Sequence, residues 1–314
     1  MKKRITKSVL VVILTIVAFL LVCTACTGLD YMKYLKTRTE TDLDTDLVYH
    51  VYSESDIAQN AQLADVCLYY FPAPSGEKTK CVIYLPGGSY KTCNPYDVCI
   101  PAAAEANEMG YSAFVLTYRV GDYVEDYMPV KDVATGIQYL IDHADELNIN
   151  MDGYMLTGFS AGGHLAGLFG SKELGYGKYD IPKPGAIGLA YPLINTSKGF
   201  FETWNLVNDY VNFNLRSHTI SFLLGDAAET EDGKMIDIQN LVTPDYPKVY
   251  MVQGDADFLV RYQNNSEPMA KALEENNVPY RYNLYSGLTH GFGIGTGTEA
   301  EGWNKEAIRF WVGN

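Results

Sequence analysis

The sequence predicts an α/β fold: a mainly parallel central sheet flanked by helices, with a small cap insertion. Short β-rich apolar runs alternate with segments of helical periodicity, which is typical of βαβ units. With 47% hydrophobic and 20% charged residues in 314, the chain is globular and can bury a large core. We expect one large domain, covering residues 47–314.

The predicted strands come first as two runs, "ADVCLYYF" and "TKCVIYL", joined by the turn "PAPSGE". "SAFVLTY" is the third strand, and "VATGIQYLIDHADEL" follows as a helix because its apolar residues recur at helical spacing. "YMLT" is a buried strand, and a helix begins at or just after Ser160. "GAIGLAYPL", "KVYMVQG" and "PYRYNLY" complete the strands, with helices in "SEPMAKALEENN" and "GWNKEAIRFWVGN".

An insertion of mixed, aromatic-bearing sequence separates "YPLI" from "KVYMVQG", over roughly residues 196–246. It is too long for an ordinary connection, and long segments of this kind often act as lids or binding segments. We therefore expect it to form a cap on the domain.

The N-terminus has the order of a secretory signal: basic "MKKRITK", an apolar run, then "CTAC". Residues 1–25 are predicted to be a signal peptide or signal anchor, and residues 26–46 a polar tether. "CTAC" resembles a bacterial lipobox that would leave Cys26 as a lipidated first residue, although Cys23 stands where leucine is usual. A lipoprotein, a secreted protein and a signal-anchored protein remain alternatives, and all three place the domain outside the cytoplasm.

The formal net charge of −14 argues against nucleic-acid partners, because phosphate binding needs a basic stripe. Four cysteines follow the leader, and they form no CxxC pair and have no histidine at metal-ligand spacing, so no zinc site is expected. A Cys93–Cys99 disulfide is compatible with export, and free buried thiols, including Cys67 and Cys81, are the alternative.

The segment "LTGFSAGGH" places Ser160 between small residues, after an apolar strand and before a helical pattern. This is the strand–turn–helix context of a nucleophile elbow, in which a strained turn pushes the serine hydroxyl out of the sheet. Residues two before and two after the serine must then be small. The amide of Ala161, at the start of the helix, would face developing negative charge.

A nucleophilic serine needs a base, and the chain has only five histidines. His290, in "SGLTHGFG", follows the last predicted strand between glycines, as expected for a loop at the carboxyl edge of a sheet. His164 is one helical turn after Ser160 and is expected to pack beside the elbow. His218 lies in the insertion, and the other two histidines are interpreted as structural.

The acid of such a site should lie between serine and histidine at the end of a strand. "KVYMVQGDADFLV" offers Asp255 and Asp257, and we favour Asp257 for its spacing between Gly254 and Val260. Its expected role is to orient the imidazole. A second oxyanion donor is expected from "CVIYLPGGSY", where Gly87 and Gly88 follow a strand.

These segments resemble the α/β-hydrolase superfamily, and within it the esterase/lipase group that includes acetylxylan and feruloyl esterase-like (BD-FAE-like) proteins. The likeness is carried by "LPGGSY", "LTYRV", "PVKDVATGIQYL", "GFSAGGHLA", "QGDADFLV" and "THGFG", over roughly residues 65–314. It implies Ser160 as nucleophile, Asp257 as acid, His290 as base and Gly87-Gly88 as oxyanion loop.

Many relatives have a histidine where this chain has Pro86, and Ser89 replaces a third glycine. The proline form is similar to the "PGGGY" pattern of acetylxylan esterase-like members and favours carbohydrate esters. Arg119 and Asp132 also match family positions and are interpreted as structural.

The sequence thus predicts a serine esterase that acts on short-acyl esters of small molecules or oligosaccharides, without a metal or organic cofactor. Three tyrosines near the predicted site, Tyr90, Tyr191 and Tyr210, are candidates for stacking on sugar rings, with core or rim positions as the alternative. A prolyl-peptidase-like hydrolase and a catalytically inactive surface binding module are the competing functions.

Overall fold

The computed structural model describes residues 47–121, 127–197, 206–225 and 233–313, all within one compact unit, Asp46–Asn314. The strands are β1 (Val48–His50), β2 (Cys67–Phe71), β3 (Thr79–Leu85), β4 (Ser112–Leu116), β5 (Ile149–Phe159), β6 (Ala186–Ala190), β7 (Lys248–Gly254) and β8 (Tyr280–Tyr285). The helices are α1 (Glu54–Gln59), α2 (Cys99–Glu108), α3 (Met128–Asp142), α4 (Ala161–Phe169), α5 (Leu206–Leu224), α6 (Ser266–Glu275) and α7 (Trp303–Val312). The predicted leader, Cys26 and the tether lie outside the described residues.

The eight strands form one sheet in the order β1-β2-β4-β3-β5-β6-β7-β8. From β4 to β8 every neighbouring pair is parallel, whereas β2 pairs antiparallel with both β1 and β4. Helix α2 packs against α7, and α3 packs against α4. The mainly parallel sheet with flanking helices confirms the predicted architecture. Because parallel strands share a direction, the ends of β3, β5, β7 and β8 meet at one edge.

Strand β7 and the second half of β5 are buried, which explains their nearly continuous apolar sequences. Residues 154–159 of β5 and 249–254 of β7 are all buried. Strand β5 is longer than the predicted "YMLT", because its start, "INMDG", mixes exposed polar and buried apolar positions. Strand β7 has the predicted bounds.

Helix α2 was not among the predicted elements. Its buried face consists mostly of small side chains, Ala102, Ala103 and Ala106, after Cys99 and Ile100, so its amphipathic pattern is weak in the sequence. Helix α3 begins at Met128, five residues before the predicted start, with Pro129 in its first turn. Proline is tolerated there because the first N–H groups of a helix have no intrahelical acceptor.

Helix α5 lies within the predicted insertion, of which residues 198–205 and 226–232 are outside the described part. It packs on the core through Phe222, which is buried and lies 5.5 Å from the Tyr90 ring. No helix among the described residues is long and apolar enough to cross a membrane.

All four cysteines of the described region are free, so the Cys93–Cys99 disulfide is not formed. Burial raises the pKa of Cys81 to about 12 and that of Cys67 to about 11. These thiols are therefore inert side chains of the core rather than nucleophiles. Within the described ranges, no group of three or more His, Cys, Asp or Glu side chains is arranged to hold a metal ion.

Candidate active site

Ser160 occupies a sharp turn between β5 and α4. Its backbone has φ 53° and ψ −116°, a conformation that L-residues rarely adopt. A Cβ atom at Gly158 would overlap the Gly162 carbonyl, and one at Gly162 would overlap the carbonyls of Leu85 and Pro86. The small residues around the serine are therefore required by the closeness of the backbone segments that meet at this turn.

A continuous chain of hydrogen bonds links the three predicted site residues. Ser160 Oγ lies 2.8 Å from His290 Nε2, and His290 Nδ1 lies 2.7 Å from Asp257 Oδ2. Because an ionised carboxylate only accepts, Nδ1 carries the proton and Nε2 accepts from the serine hydroxyl. The residues come from the ends of β5, β7 and β8, which the sheet brings to one edge.

The carboxylate of Asp257 is buried and held by several donors. Oδ1 accepts from the N–H groups of Leu259 and Val260 at 2.9 and 2.8 Å, and Oδ2 accepts from Gln253 Nε2 at 2.8 Å. Charge-assisted bonds of this kind stabilise the ionised carboxylate and fix its direction.

Sequence reasoning missed Gln253. Its side chain is fully buried at the end of β7, where Oε1 accepts from Ser266 Oγ at 2.9 Å. The signal that could have found it is an uncharged polar residue in an otherwise apolar strand, one residue before Gly254.

Asp255, the other candidate acid, does not contact His290. Its carboxylate is exposed and accepts from the N–H of Gly287 at 2.6 Å and from Ser286 Oγ at 3.3 Å. It joins the chain after β7 to the chain after β8, which is a turn-forming role.

Two of the three predicted oxyanion residues, Ala161 and Gly87, lie next to the serine, and Gly88 follows Gly87 in the chain. Ala161 is the first residue of α4, and a Cβ atom on Gly87 would lie 3.2 Å from Ser160 Cβ. Gly88 has φ +130°, and a side chain there would overlap the Thr92 carbonyl. Within the described part of the chain, the N–H groups of Gly88 and Ala161 donate to no protein acceptor. They can therefore serve an anion next to Ser160.

His164 faces the core rather than the serine hydroxyl. It is fully buried, with Tyr90 OH 2.9 Å from Nδ1 and the Ile236 carbonyl 2.8 Å from Nε2. Burial lowers its pKa to about 4, so the imidazole is neutral at ordinary pH. Its Nε2–H donates to the carbonyl, and Nδ1 accepts from the tyrosine.

This histidine makes stability depend on pH. The unfolded chain protonates His164 below its ordinary value of 6.5, whereas the folded protein does so only near pH 4. The contribution to the free energy of unfolding is therefore complete above pH 6.5 and is lost as pH falls towards 4, by about 3 kcal/mol at most. We expect His164→Gln to lose less of its free energy of unfolding, measured by denaturant titration, between pH 7 and pH 4.5 than the wild type does. The control His143→Gln, on the half-buried end of α3, should show the wild-type loss; equal slopes in both variants would contradict the assignment.

The other sequence candidates have structural contacts. Arg119 and Asp132 form a buried pair, with Arg119 Nη2 2.7 Å from Asp132 Oδ1. Tyr90 and Tyr191 are buried and take the core positions that were the alternative to stacking on sugar rings, while Tyr210 on α5 is exposed. Tyr191 instead packs its ring edge-on against His290, 5.1 Å between centroids. It thereby supports the position of the imidazole.

A small pocket of about 30 Å³ opens beside Ser160 and Ala161, under α5. Leu193, Leu215 and Val260 give it apolar walls, and Asn195, Asn212 and Arg216 give it polar ones. A group the size of an acetyl or hydroxymethyl fits this volume.

A serine at a strand–helix turn, with its aspartate and histidine after the next strands of a mainly parallel sheet, defines an α/β-hydrolase. The BD-FAE family model matches residues 68–273, and the chain belongs to this family.

Two curated relatives are similar to part of this chain. An endo-1,4-beta-xylanase B of Butyrivibrio fibrisolvens is 25% identical over 236 residues, covering 72% of this chain and 34% of the relative. An acetylxylan esterase of Xylanibacter ruminicola is 26% identical over 227 residues, covering 71% and 43%. The chain thus spans less than half the length of either relative.

Solved structures share the fold. An acetyl ester-xyloside bifunctional hydrolase from Caldicellulosiruptor lactoaceticus superposes with a TM-score of 0.67 at 24% identity, covering 85% of this chain and 95% of that one. Esterase B from Lactobacillus rhamnosis gives a TM-score of 0.68 at 18% identity, covering 95% of both chains.

Proposed function

We propose that the protein hydrolyses short-acyl carboxylic esters through an acyl-enzyme formed on Ser160. The observation that carries this is the hydrogen-bonded chain from Ser160 Oγ through His290 to Asp257. Membership of the BD-FAE family supports it.

In the proposed reaction, His290 Nε2 takes the hydroxyl proton while Ser160 Oγ attacks the ester carbonyl carbon. The carbonyl oxygen becomes an oxyanion, which the N–H groups of Ala161 and Gly88 stabilise; losing one such donor typically costs ~10²–10³ in rate. His290 then gives the proton to the leaving alcohol. In the second half of the reaction, His290 Nε2 takes a proton from water while the water oxygen attacks the acyl carbon. His290 then returns the proton to Ser160 Oγ, and the carboxylic acid is released. Asp257 stabilises the imidazolium without taking its proton.

We further propose acetylated carbohydrates as the substrate class. Two similar proteins are named as an acetylxylan esterase and an acetyl ester-xyloside hydrolase. The pocket of about 30 Å³ beside Ser160 supports a small acyl group.

The test is hydrolysis of p-nitrophenyl acetate, butyrate and octanoate, followed by acetate release from acetylated xylo-oligosaccharides. We expect kcat/KM to fall as the acyl chain lengthens, because the pocket beside Ser160 is small. Octanoate hydrolysed faster than acetate would refute the short-acyl proposal. If the xylo-oligosaccharides release no more acetate than with a Ser160→Ala control, the carbohydrate proposal is wrong.

A further inference from the structure

Two asparagines line the pocket beside Ser160. Asn212 belongs to α5 and is 4% exposed, and Asn195 follows β6 and is 6% exposed. Neither takes part in the hydrogen bonds among Ser160, His290 and Asp257. Buried amides normally have partners for both their oxygen and their nitrogen, so an amide that lacks one needs an explanation.

The orientation of the Asn212 amide follows from its one side-chain hydrogen bond to a described residue. Its side chain lies 3.2 Å from the carbonyl oxygen of Phe258, in the loop just after Asp257. Since a carbonyl only accepts, the atom facing it is Nδ2, and Oδ1 is the atom left over. Oδ1 is buried and accepts no hydrogen bond from any described residue. A buried acceptor left unsatisfied is costly, and a donor that reaches it is correspondingly favoured.

In Asn195 the amide nitrogen, a donor, is the atom without a partner among the described residues. Its Oδ1 accepts from the N–H and the Oγ of Ser197, both at 3.1 Å, which fixes the oxygen on that side. Its Nδ2 donates to none of the residues that the structure describes. Asn265 Oδ1 accepts from the Asn195 N–H at 3.1 Å and holds the backbone in place. The residues that line the pocket thus include one unused acceptor and one unused donor among the described side chains.

We propose that Asn212 and Asn195 form a hydroxyl-binding subsite for the ester. A substrate hydroxyl donates to Asn212 Oδ1 and accepts from Asn195 Nδ2. This inference rests on the proposed esterase function and adds a requirement to it: a hydroxyl close to the ester bond, on either the acyl or the alcohol side.

Other polar groups fit the pair less well. A carboxylate has no proton for Asn212 Oδ1, and an amide N–H cannot accept from Asn195 Nδ2. An ammonium would lie near Arg216 and Arg261, which also line the pocket. A hydroxyl is both donor and acceptor and fits a volume of about 30 Å³.

Two pairs of esters of matched size test the subsite. On the alcohol side, 2-hydroxyethyl acetate is compared with propyl acetate; on the acyl side, ethyl glycolate is compared with ethyl propionate. Each pair exchanges a hydroxyl for a methyl group. The variants are Asn212→Leu and, as matched control, Asn214→Leu, which makes the same change at an exposed position of α5. The intrinsic reactivity of each ester cancels when kcat/KM ratios are compared between variants.

For one pair, we expect the ratio of kcat/KM for the hydroxylated ester to kcat/KM for the methyl ester to be about tenfold or more higher in the wild type and Asn214→Leu than in Asn212→Leu. The pair that shows the effect identifies the side of the ester that enters the pocket. If Asn212→Leu does not fold, Asn195→Leu gives the same comparison. If the kcat/KM ratio of each ester pair is the same in all variants, the proposed subsite is wrong.

The subsite and the esterase proposal can fail separately. Equal ratios with rapid p-nitrophenyl acetate hydrolysis would refute the subsite and leave the esterase. If the folded protein hydrolyses none of the esters, the esterase proposal fails. Binding of the four esters to Ser160→Ala, by saturation-transfer difference NMR, then decides the subsite. Preferential binding of a hydroxylated ester that Asn212→Leu removes supports it, and equal binding refutes it.

Discussion

Replacing Ser160 by alanine is expected to lower kcat for p-nitrophenyl acetate by about 10⁵-fold or more, with the fold intact. The hydroxyl donates to His290 Nε2 at 2.8 Å and is the only part of the side chain that the change removes. The turn should persist, because Ser160 N–H donates to the Ala190 carbonyl at 2.9 Å in either variant. Initial rates and the melting temperature measure the two effects.

The matched control is Ser221→Ala, at an exposed position of α5. It should leave kcat within about twofold, since surface substitutions change little. A Ser160→Ala protein that keeps a tenth of the wild-type rate would show that another residue supplies the nucleophile.

The second large effect is expected for Asp257→Asn, which should reduce kcat by about 10⁴-fold. An asparagine amide that turns its N–H towards His290 Nδ1 requires that nitrogen to be unprotonated. The proton then sits on Nε2, where it can no longer accept from Ser160. The loop should keep its position, because the N–H groups of Leu259 and Val260 still donate to Oδ1 and Gln253 Nε2 still donates to the Val260 carbonyl.

Asp255→Asn is the matched control for this change. Asp255 is two residues away and exposed, and among the described residues its carboxylate bonds only to Ser286 and Gly287 in the loop after β8. We expect its kcat to stay within a few-fold of the wild type and its stability to fall by about 1 kcal/mol. Comparable losses of kcat in both variants would contradict the assignment of Asp257.

The site could be located from the sequence because its signals are local. Glycines two positions before and after Ser160 reflect the backbone crowding of one turn, and Asp257 and His290 lie in the short loops that follow β7 and β8. A parallel sheet then brings strand ends together without any further information.

The features that the sequence did not predict depend on contacts between distant segments. The environment of Asn212 is set by the carbonyl of Phe258, 46 positions away. Tyr90 follows the glycines of the proposed oxyanion loop, yet its hydroxyl reaches His164 in the core, 74 positions away. No periodicity or spacing encodes such pairs, because they arise from tertiary packing.

The most direct test of the central claim, that Ser160 is an activated nucleophile, is reaction with a fluorophosphonate followed by peptide mass spectrometry. We expect one phosphonyl adduct per chain, on the peptide that contains Ser160, and slow or absent labelling of Asp257→Asn. Absence of an adduct on the folded wild-type protein, or an adduct on another residue, would contradict it.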